Sequence, residues 1–293
     1  MKDRNIANLF APEKPDNNTL AKLVDLAQAG DKSALDSVIA ATWPEIYRLA
    51  LRFTGNATDA EDATQEVMIR IITRLSSFRG ESQYTTWAYR VATNHLLNLK
   101  QSRQSQVLSF EKFGADLTYG LEAHPDENQS LEYDLLLNEV RVGCTLAMLQ
   151  CLDSEMRLAY IFGEILEVEH HEASMALELA KATYRKRLSR AREKIANFML
   201  GNCGLVDASN ACRCSKRVRC AIEKQRIDPN KLIYSSAQQR LKDFPQLLSQ
   251  IRELDTMQRS SALYRIQQDP PISDHFINWL KTLVSKNRLQ LDK

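Results

Sequence analysis

The sequence predicts an all-α protein, and three observations predict it. Glycine is scarce, at 9 of 293 residues. Long stretches are built from Ala, Leu, Glu, Lys, Arg and Gln, which lose little rotamer freedom in a helix. Apolar residues recur at helical spacing, while the alternation that marks a half-buried strand is scarce.

With 44% hydrophobic content and a formal charge of +2, the chain suits a soluble protein of two or three domains. No apolar run approaches the roughly 18 residues of a membrane span, so no membrane insertion is expected. The opening stretch MKDRNIANLFAPEKPDNN lacks the apolar core of a signal peptide, which points to the cytoplasm. The six cysteines are then expected reduced or metal-bound.

Residues 1–19 read as a polar arm. Helices follow at about Leu20–Ala29 and Lys32–Thr54, with Asp31 placed to cap the second. A third begins near TDAEDATQEVMIRIITRL, where Thr58 or Asp59 is placed to cap it, and Ala63, Val67, Ile71 and Arg74/Leu75 fall on one stripe. SSFRGESQYTT is a turn with aromatics, and WAYRVATNHLLNLKQSR returns to helix with Ala88, Val91, Ala92, Leu96 and Leu99 on one face. Residues 104–130 break the periodicity and read as a linker. Helices resume near Leu131 and run to Leu200. A Cys-rich segment occupies 201–221, and amphipathic helices return across 222–293, for example at Pro245–Leu254.

The charge is unevenly distributed. From Lys181 to Lys194 there are seven Lys/Arg and one Glu, whereas Gly120 to Glu172 holds twelve Asp/Glu and two Lys/Arg. On a helix over Ala180–Leu200, Tyr184, Leu188, Ala191, Ile195 and Phe198 form the apolar stripe, and Thr183, Lys186 and Arg190 lie opposite it. A short helix at about Glu172–Leu179 precedes it. Two short helices with the second one basic suggest a helix-turn-helix. On charge alone, a solvated helix paired with the acidic block is an equal reading.

The order of segments carries a resemblance. Asp59–Arg103, DAEDATQEVMIRIITRLSSFRGESQYTTWAYRVATNHLLNLKQSR, resembles region 2 of bacterial sigma factors of the extracytoplasmic-function group. Cys151–Ile195 resembles their region 4, ending on TYRKRLSRAR at Thr183–Arg192. Two departures stand in region 4: the usual Leu-Gly turn is Leu177-Glu178, and Glu-Ile-Ala is Glu172-Ala-Ser. The resemblance implies a region 2 bundle at 20–103 and a region 4 helix-turn-helix at 131–200, joined by a flexible linker and followed by a mostly helical extension. It implies a protein, not an enzyme, that binds RNA polymerase core, recognises two promoter elements and helps melt DNA. An anti-sigma factor or other regulator is a further implied partner.

Site residues follow from the same resemblance. Asp62, Gln65, Glu66 and Ile69 share a helix face and would meet the polymerase's basic coiled coil; by itself the pattern is that of a capped, solvated helix start. The pocket for an unpaired base falls on Gln83, Tyr84, Thr85 and Asn94, with Arg79, Arg90, Lys100 and Arg103 on phosphates. Trp87 reads as core. Upstream DNA would be read by Thr183, Lys186 and Arg190, with Arg185 and Arg187 on phosphates.

The runner-up is a stand-alone helix-turn-helix regulator that binds duplex DNA without polymerase. A catalytic reading finds no nucleophile motif, and EVEHHE at Glu167–Glu172 lacks zinc-hydrolase spacing. Cys203, Cys212, Cys214 and Cys220, spaced C-x8-C-x-C-x5-C, supply enough thiols for tetrahedral zinc but lack paired C-x2-C knuckles. Structural zinc, a redox-responsive thiol pair and ordinary reduced cysteines all stand as readings. Arg213, Lys216, Arg217 and Arg219 are expected to favour thiolates. Cys144 and Cys151 read as packed small apolar residues.

Overall fold

The structure is a computed structural model, and it describes residues 15–102, 108–121, 131–235, 256–265, 273–276, 278–280 and 282–283. Among the described residues there are helices and no strands. In chain order the α-helices are α1 (Asn17–Gln28), α2 (Lys32–Thr54), α3 (Ala57–Thr73), α4 (Tyr84–Ser102), α5 (Phe110–Thr118), α6 (Leu131–Gln150), α7 (Ser154–Tyr160), α8 (His170–Ala176), α9 (Lys181–Asn202), α10 (Val218–Glu223) and α11 (Thr256–Arg265). They fall into two compact units, one of Asn8–Ser105, Val168–Tyr184 and Ile272–Lys293, the other mainly of Gln106–Glu167 and Arg185–Pro271.

In the first unit the starts of the helices are set by side-chain caps. Asp16 accepts from Thr19 N at 2.7 Å, and Asp31 accepts from Ala34 N at 2.9 Å, as its position before α2 predicted. The cap of α3 is Asn56, which accepts from Asp59 N at 3.0 Å, rather than Thr58 or Asp59. Gly55, left-handed at φ 73°, ends α2 one residue earlier, so the first residue able to cap α3 is Asn56. Val24, Val38, Ile39, Ile46, Leu49, Ala63, Val67, Met68, Ile71, Ala88, Ala92 and Leu96 close the core. The predicted stripes on α3 and α4 are therefore the buried faces, except that Val91 and Leu99 are half-buried and Arg74 is exposed.

In the second unit Arg157 is 2% exposed and holds the α6–α7 turn together. Its guanidinium donates to Leu149 O at 2.8 Å, Gln150 Oε1 at 2.6 Å, Gln150 O at 3.2 Å and Leu152 O at 2.9 Å. A cation at the C-terminal end of α6 meets carbonyls that have no helical partner. Burial lowers its pKa to about 10, the carbonyls notwithstanding. The stretch read as linker contains α5, whose Phe110 and Phe113 rings lie 5.1 and 5.5 Å from that of Phe198 on α9. Asp116 on α5 accepts from Lys224 Nζ at 2.6 Å and Arg226 Nη2 at 2.9 Å, and these cations hold its carboxyl well below the usual range. Glu122, Asp126 and Glu127 lie outside the described residues, as does Pro245–Leu254.

The extension touches each unit separately. In the second, the Tyr264 ring on α11 meets that of Tyr160 edge-on at 5.5 Å, and Arg265 Nη1 pairs with Glu167 at 2.9 Å.

Candidate nucleic-acid interface

The basic helix α9 buries Tyr184, Leu188, Ala191, Ile195 and Phe198, the predicted stripe. Thr183, Arg185, Lys186 and Arg190 are exposed. Arg187 differs from expectation. It is half-buried and pairs with Glu155 at 2.6 Å, because Glu155 stands in the first turn of α7 where an acid is favoured. Its charge is therefore partly neutralised within the fold.

The turn ahead of α9 keeps a regular geometry despite its sequence. Glu178 N donates to Met175 O at 3.2 Å and Leu179 N donates to Ser174 O at 2.9 Å. That is a Schellman closure, whose residue after the cap is left-handed. Here that residue is Glu178, at φ 54°. A side chain replaces the usual glycine without changing the turn, at a cost in backbone energy of roughly 1–2 kcal/mol.

In the first unit a cavity of about 350 Å³ opens between α3 and α4, lined by Arg70, Arg74, Ser77, Trp87, Arg90, Val91, Asn94 and Asn98. It gathers three cations, two amides and an indole. Such a set can hold phosphate oxygens, base edges and a base face. Of the expected residues it unites Arg90 and Asn94. Arg79 and Gln83 are exposed outside it, Gln83 accepting from Asn17 Nδ2 at 2.7 Å. Thr85 is half-buried and not in its wall. Arg103 lies outside the described residues, as does the Lys100 side chain.

Tyr84 and Trp87 are placed differently from expectation. Tyr84 is 4% exposed, its hydroxyl 3.1 Å from Thr42 Oγ1, and burial pushes it up to about 12. It is a core residue because it opens α4 on the side facing α2. Trp87, three residues on, packs its ring 5.6 Å from Phe78 yet remains half-buried in the cavity wall. Arg70, Arg74 and Asn98 were missed, although a signal existed. Arg70 and Arg74 are one helical turn apart, as are Arg90, Asn94 and Asn98 in succession.

Helix α8 lies against α4 beside this cavity. Thr93 Oγ1 donates to Ala176 O at 3.0 Å, Thr86 Oγ1 donates to Glu172, and Asn94 Nδ2 donates to Glu178 Oε2 at 3.4 Å. Across α3, Asp62, Glu66 and Ile69 are exposed and Gln65 is half-exposed. An apolar side chain 38% exposed among acids gives this face both charge and contact area.

The Cys-rich segment is organised by its backbone. Gly204 N donates to Cys212 O at 3.1 Å, and a Cβ at Gly204 would fall 2.3 Å from that oxygen, so only glycine fits. Arg213 is turned onto the Ala208 and Cys212 carbonyls at 2.8 and 2.9 Å, and Arg217 onto Asp116 at 3.2 Å. Their charges do pull Cys203 and Cys212 toward the thiolate, Arg213 both and Arg217 the second, but burial outweighs them. Burial raises Cys203 and Cys212, and raises Cys214 to about 12. Cys220 Sγ faces Tyr119 O at 3.9 Å. Among the described residues no group of three or more His, Cys, Asp or Glu is arranged to hold a metal ion. Also among the described residues, no helix is long and apolar enough to cross a membrane.

Residues 38–106 match the sigma-70 region 2 family. The chain is similar to the RNA polymerase sigma-H factor of Pseudomonas aeruginosa, at 29% identity over 175 residues, covering 59% of this chain and 90% of that protein. It is also similar to the ECF RNA polymerase sigma-E factor of Escherichia coli K12, at 26% identity over 182 residues, covering 60% and 91%. The solved structure of CnrH in complex with the cytosolic domain of CnrY aligns at 19% identity and a TM-score of 0.47, covering 64% of this chain and 99% of that one.

Proposed function

We propose that this chain, whose residues 38–106 match sigma-70 region 2 and whose relatives include extracytoplasmic-function sigma factors, is a sigma factor that binds RNA polymerase core and directs promoter-specific initiation. The observation that carries this reading is the presence, in one chain, of two surfaces suited to different forms of DNA. The exposed cationic face of α9 suits the major groove of a duplex. The cavity between α3 and α4 suits an unpaired strand.

The division of labour follows from the chemistry. Asp62, Gln65, Glu66 and Ile69 dock on a basic element of the polymerase. Thr183, Lys186 and Arg190 read base edges of the upstream element, and Arg185 holds phosphate. At the downstream element a base leaving the stack enters the cavity, with Trp87 offering a face and Asn94 and Asn98 amide edges. Arg70, Arg74 and Arg90 draw the strand in. No covalent step is required, so the protein acts as a specificity subunit without catalysis of its own, working in the cytoplasm. A protein regulator that covers these same surfaces fits the reading.

In vitro transcription with purified core tests it. Initiation is expected only with core and a cognate promoter present. DNA binding without complex formation on gel filtration at micromolar concentration would instead establish a stand-alone regulator. Asn94→Ala is expected to reduce permanganate reactivity of the melted strand more than it reduces duplex binding. Intact melting would remove Asn94 from the cavity's role.

A further inference from the structure

The last part of the chain has no role in the surfaces above. Within the first unit, residues 274–276 and 278–280 are helical. Phe276 is fully buried, its ring 5.7 Å from that of Trp43, 6.4 Å from that of Tyr47 and 5.4 Å from that of Trp279. Ser273 accepts from Phe276 N at 3.2 Å and so caps this segment. The same residue grips α3: its N donates to Glu61 Oε1 at 2.9 Å and its Oγ donates to Glu61 Oε2 at 2.6 Å. One aromatic anchor on α2 and one carboxylate on α3 fix the segment to the bundle.

The position of Glu61 gives this contact its meaning. It stands one helical turn before Gln65, about 40° away around the α3 axis, on the rim of the face holding Asp62, Gln65, Glu66 and Ile69. A helix this short has no stability of its own in water, so its order derives from docking. Being covalently attached, it re-docks at high effective concentration even if its intrinsic affinity is weak. A few well-packed, desolvated anchor residues carry most of the binding energy of an interface, and Phe276 is placed as such an anchor.

We propose that the segment around Phe276 is a detachable ligand, supplied by the chain itself, for the α2–α3 surface, and that it competes with RNA polymerase core for region 2. This rests on the polymerase-facing reading of α3. Docked, the segment occupies the Glu61 carboxylate and the margin of the acidic face. Released, it leaves that face to a basic partner. The apparent affinity for core is then the intrinsic affinity reduced by the fraction of molecules with the segment released.

The test uses the full chain and two variants, Phe276→Ala and Ser273→Ala, neither of which alters a residue assigned to polymerase or DNA. Tryptic cleavage within 273–283 reads release of the segment, and fluorescence titration reads the affinity for core. Saturating core is expected to accelerate cleavage of the unaltered chain. Both variants are expected to be cleaved rapidly without core and to bind core more tightly, about tenfold if the segment is docked nine-tenths of the time. Ser273→Ala leaves the aromatic anchor in place, so a folding defect confined to Phe276→Ala is recognised. A complex that forms with unchanged cleavage, or with equal or weaker affinity in both variants, overturns the competition alone. Absence of any complex, with the unaltered chain and with both variants, removes the polymerase reading and the competition together.

Discussion

Asn94 Nδ2 on α4 donates to Glu178 Oε2 at 3.4 Å, and Glu178 holds the left-handed position of the α8–α9 turn at φ 54°. One residue thus carries backbone strain and also touches the wall of the cationic cavity. The bond is long and solvent-exposed, so it contributes little against the strain. Glu178→Gly is expected to raise stability by about 0.5–1 kcal/mol, the relief of a side chain at a left-handed position less the added entropy of the unfolded chain. Chemical denaturation of the two proteins measures this directly, and a less stable variant would show that the Asn94 contact outweighs the strain.

On α9 the exposed cations are expected to behave differently from Arg187. Lys186→Ala or Arg190→Ala should cost about 1–3 kcal/mol in upstream-element binding and relax sequence preference if they read bases. Arg185→Ala should lower the salt slope by about one unit. Arg187→Ala should change that slope less, because Glu155 already faces its guanidinium at 2.6 Å. Binding isotherms across a salt series separate the three. Identical slopes for the Arg185 and Arg187 variants would mean that the ion pair opens on DNA.

Arg157→Met is expected to destabilise the protein by about 3 kcal/mol or more. Methionine keeps much of the volume but leaves the Leu149, Gln150 and Leu152 carbonyls without their charged donor, and a hydrogen bond to a charged group is worth about 1.5–3 kcal/mol. Thermal unfolding monitored by circular dichroism provides the measurement. A loss below about 1 kcal/mol would indicate that water replaces the guanidinium.

The half-buried thiols of the Cys-rich segment predict a pH dependence of stability. Cys203, Cys212 and Cys214 hold their protons more firmly folded than unfolded, Cys214 to about 12. The folded state therefore binds more protons, and the stabilisation is fully present below the unfolded thiol range and declines as pH rises through it toward 12. Denaturant midpoints between pH 7 and pH 10 should fall. At pH 8 these thiols should also react with a disulfide reagent far more slowly in the native chain than in denaturant. Rapid native reaction of Cys203, Cys212 and Cys214 would overturn this expectation.

The sequence by itself determined the helical class, the placement of α2 behind Asp31 and the inward stripe of α9. These features depend on residues no more than one or two turns apart, where capping geometry and a 3.6-residue period leave few alternatives. It also placed Asp62, Glu66 and Ile69 on one exposed face, since helix phase alone decides that. Only the tertiary structure decided that Thr86 meets Glu172, 86 positions away, and that Ser273 meets Glu61, 212 positions away. It likewise decided that Arg70 and Arg74 join Arg90 and Asn94 around one cavity, that Tyr84 is core while Trp87 reaches the cavity wall, and that Cys220 faces Tyr119. The physical reason is common to all of them. Helix phase fixes the direction of a side chain relative to its own axis, but a partner is fixed only when a second helix packs against the first, and that packing depends on the shape of the whole buried surface.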